Sequence, residues 1–228
     1  METVEYAPGR LVDVFGDRGA QTVLLWHGQQ SNARAAVRPL GELIAGYGMA
    51  VLAPDWDSHA DDGGRAELLR SVDFARRHTE DPDQIVLVGW SLGGAAAAGL
   101  TVQASRYGVG FAHTVCLAGA FRAPDPITGK PPAIGLSREA NRSPFTLLHG
   151  VSDDAVPVAW SREFASALEQ NGWPVQLVEL AADHGSIAGA VYDAVADRYS
   201  AGQDDTTLAI AAEVAAHIGA TGQRTPRL

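Results

Sequence analysis

The chain has 228 residues, 46% of them hydrophobic, which is enough for one sizeable core and fits a single α/β domain over residues 1–228. With 27 acidic against 17 basic residues its formal net charge is −10; nucleic acid and anionic membranes are disfavoured as partners, because both are themselves negative. The lone cysteine, Cys116, excludes an internal disulfide and reads as core.

No run approaches about eighteen uninterrupted apolar residues, and Met1 to Glu5 lacks the basic start of a secretory signal. A cytoplasmic protein with no membrane partner is therefore expected, and the pattern sets no oligomeric state.

In chain order, Thr3–Tyr6 and Leu11–Phe15 flank Pro8-Gly9 and predict an opening hairpin. Strands follow at Thr22–Trp26, Met49–Ala53, Gln84–Val88, Ala112–Leu117, Phe145–Leu148 and Val175–Leu180, eight candidates in all. Helices are predicted between and after them at Ala35–Ala45, Arg65–Arg77, Leu92–Tyr107, Ala159–Asn171, Ile187–Tyr199 and Thr206–Ile218, where apolar residues recur at three- and four-residue spacing. Such alternation marks a mostly parallel sheet with helices on both faces. The stretch 121–143 carries Pro124, Pro126, Pro131 and Pro132 and is expected to be a short lid or rim rather than a cap domain. The tail from Thr221 to Leu228 is expected to fray.

Gly89-Trp90-Ser91-Leu92-Gly93 matches G-x-S-x-G directly after a buried-strand run. In that setting the serine sits on a strained turn into a helix, lifted off the sheet towards a general base. Of the seven histidines, His184 in Asp183-His184-Gly185 follows the last strand candidate and is the expected base. His78 and His217 lie late in helices, and His113 starts a strand.

The carboxylate that would orient the ring is expected in His149-Gly150-Val151-Ser152-Asp153-Asp154, with Asp153 the first choice, Asp154 the second and Asp125 another candidate. Asp183, adjacent to the histidine, suits a local cap instead. Backbone N–H groups of Leu92 and Gln29, with Gly28 as the alternative to Gln29, are the candidate oxyanion donors. His27 is read as ordering that loop through hydrogen bonds.

With these four segments in the order Ser, Asp, His, the chain resembles the α/β-hydrolase superfamily over nearly its whole length. Its small size and missing large cap make it most similar to the compact carboxylesterase and dienelactone-hydrolase branch. Dienelactone hydrolases carry a cysteine nucleophile and haloalkane dehalogenases an aspartate, whereas Ser91 stands here. The resemblance thus implies a serine carboxylesterase acting on small or medium acyl groups, with no cofactor and a small-molecule ester as partner. A thioesterase, acyltransferase or small serine peptidase is the alternative on the same machinery, and a non-hydrolysing small-ligand receptor the alternative of another class.

Trp56 and Trp90 are candidates for an apolar pocket wall together with Gly28. The acidic run Asp55 to Asp62 fails the calcium-loop spacing, so no metal is expected, and it reads as an exposed loop lining the pocket.

Overall fold

A computed structural model describes residues 1–137 and 142–222. Eight strands form one sheet: β1 (Glu2–Ala7), β2 (Arg10–Phe15), β3 (Thr22–Trp26), β4 (Ala50–Pro54), β5 (Val86–Trp90), β6 (His113–Leu117), β7 (Phe145–Gly150) and β8 (Val175–Leu180). Their spatial order is β1-β2-β4-β3-β5-β6-β7-β8. The first two strands pair antiparallel with each other, and β2 meets β4 antiparallel. Every other pairing is parallel. The α/β class with an eight-stranded, mostly parallel sheet therefore stands as expected.

Strands β3 and β5 are buried throughout, and their sequences show why: a parallel strand covered on both faces reads as a continuous apolar run. Alternate side chains serve opposite faces. Val23 and Leu25 pack with Leu40 and Ile44 of α1 (Arg38–Ala45) and with Val214 and Ile218 of a long closing helix. Leu24 and Trp26 face the other way, onto Leu68 and Val72 of α2 (Arg65–His78) and Ala96 and Leu100 of α3 (Leu92–Val102). Phe145 and Leu147 hold Phe164 and Leu168 of α5 (Val158–Gln170).

Three helices differ slightly from expectation. Residues 92–107 break at Gln103 into α3 and a short α4 (Ala104–Tyr107). The predicted helix at 35–45 begins as a 3-10 turn, Arg34–Val37, before Pro39 opens α1, because proline is best tolerated in a helix's first turn. The closing helix, α6 (Asp205–Thr221), starts at an Asp204 cap accepting the Thr207 N–H. Residues 223–228 of the tail predicted to fray, and 138–141 of the proline-rich stretch, lie outside the described residues.

One predicted element is corrected. Residues 187–199 form no helix: after a 3-10 turn, Ser186–Ala188, the chain makes an antiparallel hairpin of β9 (Ala190–Asp193) and β10 (Arg198–Ala201). The four-residue recurrence of Ile187, Val191 and Val195 suggested a helical stripe, yet Val191 and Val195 are exposed, the latter almost completely. Local chemistry dictates the ribbon instead. Gly189, at φ +73°, stops the helical turn, and the Asp193 carboxylate accepts the N–H groups of Val195 and Ala196 across the reversal.

Parallel strands bring their carboxyl ends to one edge, and the loops leaving Trp26, Trp90, Gly150 and Leu180 meet there. The proline-rich stretch leaves this edge after β6, where Ala123 packs with Ala120, Leu92 and Val156. Its described part packs along α3, where Asp125 fills the space left by Gly99 and accepts the Ile127 and Thr128 N–H groups.

Candidate active site

Ser91 occupies the turn from β5 into α3 with φ +57° and ψ −118°, a backbone conformation that L-residues rarely adopt. Strain of this kind costs roughly 1–3 kcal/mol and persists only where the surroundings over-determine it. Here they do: the Ser91 N–H donates to Leu117, and its carbonyl accepts from Ala95 and Ala120. The flanking glycines are compelled by close approach. A Cβ at Gly89 would lie 2.2 Å from the Gly93 carbonyl oxygen, and one at Gly93 would lie 2.3 Å from that of His27. The motif's spacing thus reflects backbone packing around the serine.

His184 leaves β8 in a short loop, and its Nδ1–H donates to Asp153 Oδ2 at 2.7 Å. Both side chains are almost wholly buried. The other oxygen, Asp153 Oδ1, accepts the N–H groups of Ala155 and Val156 at 2.9 and 2.8 Å.

His149, at the end of β7, completes the set. Its Nδ1 accepts from the Ser161 hydroxyl, its Nε2–H donates to the Val156 carbonyl at 2.9 Å, and Asp153 Oδ2 lies 3.3 Å from that same Nε2. Burial opposes ionisation of Asp153, but hydrogen bonds from His149, His184 and Val156 outweigh it and hold the carboxyl well below the usual range. Of the other candidate acids, Asp154 is exposed, and Asp125 sits on α3. Asp183 caps its own turn by accepting the Gly185 and Ser186 N–H groups, as anticipated.

Ser91, His184, Gly28, Gln29 and Trp90 line one cavity of about 230 Å³. No Ser91–His184 hydrogen bond forms in this conformation, and in such pairs the bond commonly tightens only with substrate. Trp90 Nε1–H donates to the His184 carbonyl at 2.8 Å, which ties the end of the serine strand to the histidine loop. The N–H groups of Gln29 and Leu92 donate to no acceptor among the described residues. Leu92 is the first residue of α3, where the helix leaves its N–H free and its dipole favours negative charge.

His27 is fully buried and orders the loop that carries Gln29. Its Nδ1–H donates to the Gly28 carbonyl, while Nε2 accepts from both Ala33 and Trp56 N–H groups. Only the neutral ring satisfies all three. Burial accordingly lowers its pKa from 6.5 to about 4. Between those values the unfolded chain binds a proton that the folded chain refuses, so the stability is complete above pH 6.5 and is lost as pH falls towards 4. The His27 share of this loss is about 3 kcal/mol. Urea unfolding at pH 7 and pH 4 should therefore give a shallower acid loss in His27→Asn than in wild type; equal losses would refute the assignment. His113, also pushed to about 4 by burial, acts in the same sense in both proteins.

Trp56 does not reach the cavity. Completely buried, it stacks on the His27 ring at 5.1 Å and donates Nε1–H to the His27 carbonyl. The acidic run is likewise mostly occupied with its own loop and does not line the cavity beside Ser91. Asp55 pairs with Arg34, Asp57 accepts from Ser31 and from the His59 N–H, and Asp62 caps Gly64 and Ala66. Only His59 of this run lines a neighbouring cavity of about 530 Å³.

Three residues of the site escaped the sequence reading. His149 was visible beside the acid loop, but nothing in its spacing marked it as a second partner for Asp153. Gln30 and Tyr199 stand 169 residues apart, and the Gln30 carboxamide binds both the N–H and the carbonyl of Tyr199. Tyr199 was hidden by the mistaken helix.

This architecture and site define a class. The chain belongs to the alpha/beta hydrolase family, whose model matches residues 23–226. Among solved structures it is similar to esterase 2 of Thermogutta terrifontis. The apo form is 21% identical with a TM-score of 0.71, covering 96% of this chain and 94% of that one. The propionate-bound form is 21% identical with a TM-score of 0.70 over 100% and 96%, and the sarin-phosphonylated form 20% identical with a TM-score of 0.74 over 99% and 96%. At such identity the likeness is one of fold. No curated protein sequence matches the chain. Among the described residues no helix is long and apolar enough to cross a membrane.

Proposed function

We propose that the protein is a serine hydrolase that cleaves carboxylic esters of small or medium acyl groups through an acyl-enzyme, with Ser91, His184 and Asp153 as its triad. The observation that carries this reading is the meeting of Ser91 and His184 at one cavity of about 230 Å³, with Asp153 bonded to the far side of the ring at 2.7 Å. That bond fixes the proton on Nδ1 and leaves Nε2 free to accept the serine proton.

In the first step Ser91 Oγ attacks the ester carbonyl as His184 takes its proton, and the N–H groups of Gln29 and Leu92 hold the oxyanion. Such donors are typically worth about 3 kcal/mol each. The imidazolium then protonates the departing alkoxide and the carbon–oxygen bond breaks. Water, deprotonated by the same imidazole, attacks the acyl-enzyme; the acid leaves, and the proton returns to Ser91. Asp153 remains ionised throughout. The structural likeness to an esterase seen with propionate supports a short acyl group.

The test is turnover of p-nitrophenyl acetate and butyrate, with matched thioester and amide substrates beside them and fluorophosphonate labelling as the readout of the nucleophile. Esters should be cleaved fastest and the label should fall on Ser91. A wild-type enzyme that turns over none of these esters and resists the label overturns the reading.

A further inference from the structure

Resting on that esterase reading, we infer that Tyr199 determines specificity by limiting the alcohol side of the ester. The alcohol must leave from the imidazole side of the carbonyl, because the imidazolium protonates it. That side is where the Tyr199 ring stands, with its centroid 5.7 Å from that of His184 and 4.9 Å from that of Trp90, which it meets edge-on. Both Tyr199 and His184 line the cavity of about 230 Å³ at Ser91 and a second one of about 610 Å³ beyond it. Tyr199 thus stands, with His184 and Ala155, where the two cavities adjoin.

The hairpin is held in place by a clamp independent of the sheet. Gln30 Oε1 accepts the Tyr199 N–H at 2.7 Å and Gln30 Nε2–H donates to the Tyr199 carbonyl at 3.2 Å. Gln30 follows the proposed oxyanion donor directly, so the loop that would hold the oxyanion also anchors the wall. The phenol oxygen makes no hydrogen bond among the described residues, and it is the ring, packed between Trp90 and Tyr192, that would limit the alcohol. Beyond it the second cavity offers hydroxyls and carboxylates, among them Ser152, Asp154, Asp183 and Thr207. An alcohol reaching that space is matched if it carries hydroxyl groups of its own.

The experiment compares kcat/KM for an acetylated methyl glycoside with that for ethyl acetate in wild type, Tyr199→Ala and Tyr199→Phe. Alanine should raise the ratio of bulky to small alcohol about tenfold, whereas phenylalanine, which keeps the ring, should leave it within about twofold. Stoichiometric fluorophosphonate labelling of Ser91 in all three proteins, whatever its rate, reports an intact nucleophile. Gln30→Ala, which loosens the wall without removing it, should move the ratio in the same direction by less, and it serves as the test if Tyr199→Ala does not fold. An unchanged ratio in the folded variant overturns the inference and leaves the esterase reading standing. Absence of both labelling and turnover in the wild type overturns both.

Discussion

Replacing Ser91 with alanine is expected to lower kcat for short p-nitrophenyl esters by about 10⁴-fold or more while leaving the melting temperature within about 2 °C of wild type. Activity should vanish because no other group in the cavity can form the acyl-enzyme; a residual rate reflects binding and the oxyanion donors alone. The fold should be indifferent. Alanine keeps the Cβ, the strained φ of +57° and all three backbone hydrogen bonds at this position. The Ser91 side chain, nearly buried, makes no hydrogen bond among the described residues, so its removal orphans no partner. Steady-state rates together with thermal melts check both halves, and a variant that still turns over esters removes Ser91 from the mechanism.

Asp153→Asn is expected to cost about 10⁴-fold in kcat, for a different reason. The carboxylate accepts on both oxygens, from Ala155 and Val156 on one side and from His184 on the other. If the amide oxygen keeps the two backbone N–H groups, the amide NH₂ turns towards His184 and demands an acceptor. The ring then carries its proton on Nε2, facing Ser91, where a base is needed.

Stability should fall too, by about 2 kcal/mol at neutral pH, because charge-assisted hydrogen bonds to the buried carboxylate are weakened. The sign with pH follows from the lowered Asp153 pKa. The ionised group contributes fully above the ordinary carboxylate range, and that contribution is lost as pH falls through the depressed value. The stability gap between wild type and Asp153→Asn should therefore narrow on acidification. A gap that widens or stays constant would place the stabilising charge elsewhere.

The central sheet was legible because burial on both faces leaves an unmistakable mark: Val86 to Val88 and Val23 to Leu25 have no polar interruption. The serine turn was legible because its glycines answer to backbone approach, which sequence records directly. His184 and Asp153 could be placed because each follows a strand that ends at the same edge. The hairpin at 190–201 was not legible, since a four-residue apolar spacing fits a helix as well as it fits a ribbon with outward-facing valines. Deciding between them required Gly189 and Asp193 to be read as turn residues. Trp56 was misplaced for a related reason: the size and polarity of its ring fit a pocket wall or a buried hydrogen-bonded stack equally, and only the His27 carbonyl distinguishes them. Gln30 joins Tyr199 across 169 residues, a pairing that no local pattern encodes.

The ribbon of β9 and β10 forms a sheet of its own and shares no ladder with the eight central strands. Lengthening, trimming or recolouring it leaves untouched the register that the main sheet must keep. The exposed ribbon positions Val191, Tyr192 and Val195 are therefore where directed evolution can vary the rim at little structural risk, whereas Ala190 and Tyr199 also pack against the main core.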